Sequence, residues 1–140
     1  MITFFDTSTL VAAMSEDASH HAACALALET AEQGFTSGHC LAECYATLTG
    51  GRLGFHVSPV DAAHLIRNNV YRRLSVVTLS SAEYQKLVDA AGPAGARGGA
   101  IYDFSILHTA RKIKAEQIFT LNRRHFITLA PDLEHLIVSP

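Results

Sequence analysis

Short apolar runs return along this chain at intervals filled by helix-forming sequence, and that alternation restricts the fold more than any other feature. The runs are "ITFF" at 2–5, "FTSG" at 35–38, "LSVVTL" at 74–79, "EQIFTL" at 116–121 and "HLIVSP" at 135–140. Between them lie segments with helix start and stop signals. "SHHAACALALETAEQG" offers Ser19 as N-cap and Gly34 as stop, and "LAECYATLTGG" closes on Gly50 and Gly51. "SPVDAAHLIRNNVYRR" has Ser58 as cap, Pro59 in the first helical position and Asp61 at capping-box spacing. "SSAEYQKLVDAAG" repeats the pattern with Ser80, Glu83 and a terminal Gly92. "GPAGARGGA" is loop, and "YDFSILHTARKIKA" after it is helix. Strands separated by helices predict an α/β fold with a mostly parallel sheet, covered by helices on both faces. In such sheets ligands sit beyond the carboxyl ends of the strands, where strand order reverses.

The chain has 140 residues, which predicts a single domain over 1–140. Half of it is apolar and 17% is charged, an ordinary globular composition. The net charge of -2 argues against a surface coated in basic charge for non-specific nucleic-acid binding, although a local basic rim is compatible with it. Cys24, Cys40 and Cys44 form an odd set without CxxC spacing, so reduced thiols are expected. No basic stretch followed by an apolar run opens the sequence, and no window nears 18 apolar residues. A cytoplasmic protein without a membrane partner is the expectation. Phe4, Phe5, Leu10, Val11, Leu26, Leu41, Leu65, Val76, Val77, Ile106, Leu107, Ile118 and Phe119 form the expected core.

Three acids stand at positions where a site is expected. Asp6 ends the first strand and leads into Thr7, Ser8 and Thr9; its alternative role is a plain helix N-cap. Glu43 lies in "LAECYATL", where Leu41, Tyr45 and Leu48 suggest a largely buried helix. A carboxylate there needs a cation or several donors, unless it points to solvent. Asp103 occupies the first turn of the helix after the glycine-rich loop, where an acid also suits the helix dipole. In a doubly wound sheet all three can face one edge. Clustered carboxylates repel, and an all-oxygen set selects Mg²⁺ or Mn²⁺. Such a metal lowers the pKa of a bound water and neutralises phosphate charge, which is how phosphodiesters are cleaved. Thr7 or Ser8 can then orient Asp6 or hold a metal-bound water.

The segments "FFDTSTL", "SGHCLAECYATLTG" and "GGAIYDFSILHTARKIKAEQIFTLNRRHF" resemble the PIN-domain family, and more closely the VapC-type toxin ribonucleases of bacterial toxin–antitoxin pairs. With the helices between them they span most of the chain, in the family's order and approximate spacing. The resemblance implies a three-layer α/β/α fold and a metal-dependent endoribonuclease using Mg²⁺ or Mn²⁺. Asp6, Glu43 and Asp103 match the family's three principal acids. It also implies a homodimer, inhibited by a cognate antitoxin that typically binds DNA through its other end. The chain departs from the pattern at the fourth acidic position, where it has Asn122 and His125. Asn122 can bind a metal-bound water or cap the following helix; His125 can contact phosphate or metal, or pack at that helix's end. Three acids favour one tightly held metal over two.

Ser8, Arg97, Arg123, Arg124 and His125 are the candidates for contact with an RNA substrate, while Arg72 and Arg73 belong to the opposite edge of the sheet. Arg111, Lys112 and Lys114 look like a solvated helix face. His20, His21 and Cys24, or His39, Cys40 and Cys44, are incomplete as zinc sites. No aromatic stripe suggests base stacking. Histidine-based RNA cleavage, a haloacid-dehalogenase-type phosphatase and a non-catalytic RNA- or protein-binding module compete with the metal nuclease. Ser8, two residues after Asp6, breaks the phosphatase's D-x-D pattern. The expected seat for an antitoxin is an apolar groove on the N-terminal helices.

Overall fold

The structure is a computed structural model that describes residues 1–51, 53–54 and 56–140. The chain runs β1 (Ile2–Phe5), α1 (Thr7–Met14), α2 (His21–Thr30), β2 (Gln33–Ser37), α3 (Gly38–Thr49), α4 (Pro59–Ile66) with a π-helical turn over Arg67–Tyr71, and β3 (Ser75–Val77). It continues through α5 (Ser81–Ala91), α6 (Ala100–Lys112), β4 (Gln117–Phe119), α7 (Arg123–Leu129), a 3₁₀ segment over Pro131–Leu136 and β5 (Ile137–Val138). The five strands form one sheet in the order β3-β2-β1-β4-β5, and every pairing is parallel. This is the α/β class that the alternation predicts.

From β1 the chain steps outward to β2 and β3, then crosses back to β4 and on to β5. Right-handed crossovers therefore put α1–α4 on one face of the sheet and α5–α7 on the other. Strand order reverses between β1 and β4, whose register pairs Phe4 with Ile118 and Phe5 with Phe119. Phe4, Phe5, Leu10, Ile106, Leu107, Ile118 and Phe126 are almost wholly enclosed around this junction. A buried base this dense holds the carboxyl ends of β1 and β4 rigidly, and the site is built on them.

Helix starts follow the local chemistry closely. Ser37, Ser58 and Ser80 each accept a backbone N–H from the third residue of the helix they cap. At Ser80 the box is reciprocal, because Glu83 Oε1 accepts the Ser80 N–H at 2.9 Å. Glu83 also binds Lys112 Nζ at 2.7 Å, tying the start of α5 to the end of α6.

Several expectations are corrected. Ser19 caps nothing: His20 holds the N-cap position of α2 without a side-chain bond, and the helix ends at Thr30. Gly34 is no helix stop but part of β2, where a Cβ would run into Leu74 Cδ2. Leu26 is 61% exposed, since α2 buries Cys24 and Leu28 and turns Leu26 outward. Val76 is 36% exposed because β3 is an edge strand, covered less than an interior one. Leu41, Leu65, Val77 and Phe119 are half-buried. No helix among the described residues is long and apolar enough to cross a membrane.

Candidate active site

Asp6 leaves β1 and becomes the N-cap of α1, its backbone N–H donating to Phe119 O at 3.1 Å. Asp6 is only 3% exposed, and its carboxylate accepts hydrogen bonds on both oxygens. Oδ1 receives Ser8 Oγ at 2.6 Å and Thr9 N at 3.0 Å, and Oδ2 receives Thr120 Oγ1 at 2.7 Å. Ser8 Oγ in turn accepts Leu121 N at 2.9 Å, and Thr120 Oγ1 accepts Asn122 N at 3.0 Å. Thr9 Oγ1 adds a longer bond to Oδ1 at 3.3 Å, so two of the hydroxyls after Asp6 orient it, and Ser8 also ties it to the β4–α7 loop. The third, Thr7 Oγ1, is buried without a hydrogen-bond partner. Burial raises the Asp6 pKa to about 6, against the opposing pull of Ser8, Thr120 and Thr9 and with a contribution from nearby Asp103.

Glu43 is carried by the second turn of α3 and Asp103 by the first turn of α6. Both are half-buried, and each faces a histidine. His39 Nε2 lies 2.7 Å from Glu43 Oε1, an ion-pair distance whose angles do not make a hydrogen bond, so both atoms are buried without one. His125 Nε2 lies 3.2 Å from Asp103 Oδ2. Burial raises the Asp103 pKa, while His125 and then His39 pull it down. The helix carrying Glu43 is less buried than expected, because Tyr45 is exposed and only Cys40, Cys44 and Leu48 enter the core.

The three acids share one cavity. Asp6, Glu43 and Asp103 line one cavity of about 340 Å³ together with Thr7, Ser8, Thr47 and Asn122, over an apolar floor that includes Val11 and Ile106. A larger groove of about 590 Å³ between α3, α4 and β3 has no carboxylate in its lining. Asn122 stands at the N-cap position of α7 but makes no capping bond with its side chain, so its amide is free to face the cavity. His125 is exposed beside Asp103 instead of packing at the end of α7.

Asn122 and Leu121 are shared with a neighbouring hollow of about 450 Å³ lined by Arg123, Arg124 and His125. Arg123 is partly committed, since its Nε donates to Ile137 O at 2.9 Å. Arg124 is exposed. Arg97 is exposed on the loop before α6 and does not line either hollow, and Arg72 and Arg73 precede β3 at the opposite edge of the sheet.

Among the described residues no three His, Cys, Asp or Glu side chains are drawn together as a ready ligand shell. The donor set nevertheless fits a hard divalent cation. It offers carboxylate, hydroxyl and amide oxygens around one cavity, and two of these, on Glu43 and Thr7, are buried without a hydrogen bond.

Sequence reasoning missed Thr120, His39 and Tyr102. Thr120 lies one residue beyond the Phe5–Phe119 pair, directly across from Asp6, so only the β1–β4 register discloses it. His39 precedes Glu43 by one helical turn, a spacing visible in the sequence, where His39 is weighed only with Cys40 and Cys44 as an incomplete zinc set. The Tyr102 ring stacks on His39 with centroids 5.2 Å apart and planes 12° from parallel.

A parallel sheet with carboxylates gathered at its switch point defines a class of α/β proteins whose ligand site is oxygen-rich and cation-compatible. The chain belongs to the PIN domain family, whose sequence profile matches residues 3–130. Solved structures share the fold at low identity. VapC20 of Mycobacterium tuberculosis, described as a sarcin–ricin loop cleaving toxin, is 17% identical with a TM-score of 0.67, over 83% of this chain and 86% of that one. A chain of the VapBC2 complex of Rickettsia felis, determined bound to a DNA fragment from its promoter, is also 17% identical with a TM-score of 0.67, over 99% and 98%. No curated protein matches the chain by sequence.

Proposed function

We propose that this chain is a metal-dependent endoribonuclease, the VapC-type toxin of a bacterial toxin–antitoxin pair. The observation that carries the proposal is the convergence of Asp6, Glu43 and Asp103, from three distant segments, on one cavity at the switch point. The sarcin–ricin loop cleavage described for the VapC20 toxin and the promoter-DNA complex of VapBC2 support it by analogy of fold.

Asp6, Glu43 and Asp103 would hold Mg²⁺ or Mn²⁺, which when bound supplies charge neutralisation on the phosphate and activation of water toward phosphorus. Ser8, Thr9 and Thr120 fix the Asp6 carboxylate so that both oxygens keep their orientation. Cation binding and loss of the Asp6 proton are coupled below about pH 6, where burial keeps that carboxyl protonated. Asn122 offers an uncharged oxygen where the family often has a fourth acid, which favours a single resident cation. Arg124 and His125 lie in the adjoining hollow and are placed to hold RNA phosphate, with Arg123 in support.

The antitoxin would cover apolar surface on the N-terminal helices, where Leu26 is exposed. Homodimer formation and a cytoplasmic location complete the proposal.

Incubation of a mixed RNA pool with the purified chain in Mg²⁺, Mn²⁺ or EDTA, beside Asp103→Asn, tests the activity. Metal-dependent products that disappear in the variant are expected. Cleavage that persists in EDTA would point to histidine chemistry. The replacement of the fourth acid by Asn122 favours a second reading, a non-catalytic RNA- or protein-binding module, and failure to bind millimolar Mn²⁺ would establish it.

A further inference from the structure

Tyr102 is 55% exposed, yet its ring is not a free surface group. It stands in the first turn of α6, immediately before Asp103, and lies nearly parallel to the His39 imidazole. His39 in turn touches Glu43. One aromatic pair therefore spans from α3 to α6 beside two of the three acids, and it holds the tyrosine plane fixed with respect to both. Tyr45 and Tyr71, which are also exposed, line the groove that lacks carboxylates.

We propose that Tyr102, braced by its stack on His39, is the platform on which a nucleobase flanking the scissile phosphate of single-stranded RNA stacks. The proposal rests on the ribonuclease activity argued above and names how that site selects its substrate. Every base has a π face, and aromatic side chains are the usual partners of bases that have left their own stack. A ring already held by a neighbour loses little freedom when a base settles on it, so the contact costs little ordering. The position beside Asp103 sets the distance from the stacked base to the reacting phosphate. Duplex RNA, whose bases are stacked on each other, is excluded from this contact.

The test uses a fluorescein-labelled single-stranded RNA of about eight nucleotides, within the span such sites cover, and the same oligomer with a central abasic position. Binding is read by anisotropy in EDTA for the wild type, Tyr102→Phe and Tyr102→Ala, and KM and kcat are read with Mn²⁺ on the RNA pool. Tyr102→Ala is expected to weaken binding about tenfold, the scale of one lost base stack, and to raise KM far more than it lowers kcat. Tyr102→Phe keeps wild-type values, and the abasic oligomer binds the wild type and Tyr102→Ala equally weakly. Equal binding of intact RNA by wild type and Tyr102→Ala overturns the proposal, as does a Tyr102→Phe as weak as Tyr102→Ala. Cleavage with unchanged KM in all three proteins removes the stack and leaves the nuclease. Loss of binding in Tyr102→Ala without cleavage by the wild type removes the nuclease and leaves the stack. A wild type that neither binds nor cleaves removes both.

Discussion

Asp6 is the residue at which fold stability and site chemistry meet. In the metal-free protein its folded-state pKa of about 6 lies above the ordinary 3.8, so the folded chain holds the proton more tightly than the unfolded one. Stability therefore falls as pH rises from about 4 through about 6, then levels off, and the ionised form costs about 3 kcal/mol at neutral pH, from about 1.4 kcal/mol per pKa unit. Asp6→Asn removes that cost but loses one acceptor, since Asn has a single carbonyl oxygen where Asp6 receives donors on two. In EDTA at about pH 8 the variant should melt about 5 °C above the wild type, the scale of one to two kcal/mol in a domain of this size, and this advantage should disappear as pH falls through about 5. A melting difference independent of pH would contradict the linkage. Adding Mn²⁺ should raise the wild type and not the variant. The acids could be read in the sequence because each stands at a local landmark, a strand end or the early turns of a helix. Thr120 and Tyr102 could not be paired with them, because a strand register and a helix–helix contact bring those neighbours in, whereas His39 stands one turn before Glu43 on the same helix and its spacing was legible.

At the scale of elements, caps and loops follow short-range rules and were legible, whereas burial depends on what lies across an element. Ser80 and Glu83 form the reciprocal box that their spacing announces. Leu26 and Val76 have core-like composition but sit on an outward helix face and an edge strand. Gly34 looked like a helix stop, yet its lack of a side chain serves the close approach of Leu74 to β2. The Ser80 box carries an expectation for α5. Ser80→Ala loses the Oγ acceptor for Glu83 N and should cost about 1 kcal/mol in urea unfolding, while Asp89→Asn on the exposed face of the same helix should cost little. Equal effects of the two substitutions would show that the cap does not hold the helix. Glu83, which Lys112 and the Ser80 N–H and hydroxyl pull down to about 2, keeps its charge well below the usual carboxylate range. Its lowered value means that its contribution is present above the unfolded pKa and fades only as pH falls toward 2.

For the whole molecule, the constraint is the balance of charge around an acidic cavity. The chain has a net charge of -2, and three carboxylates line the cavity that would have to accept a phosphodiester. Among the described residues the basic groups near it are few: Arg124 is exposed, Arg123 is partly spent on Ile137 O, and Arg97 stands apart on its loop. If RNA binds here, these groups alone give it little affinity from counterion release. With two phosphate contacts, the slope of log K against log salt for single-stranded RNA should be only about -1.4, at roughly 0.7 per contact. A divalent cation acts in the opposite direction to salt, since it neutralises the carboxylates that repel the backbone. Anisotropy titrations of a short single-stranded RNA in EDTA, at two or more NaCl concentrations, should give that shallow slope. The same titration with Ca²⁺, a hard cation of the same charge, should bind the RNA more tightly at constant ionic strength. A slope several times steeper would mean that an extended basic surface binds the RNA and that the site's arginines are not the principal contacts. Weaker binding with Ca²⁺ would mean that the carboxylates do not face the phosphate, and the placement of RNA at the switch point would fall with them.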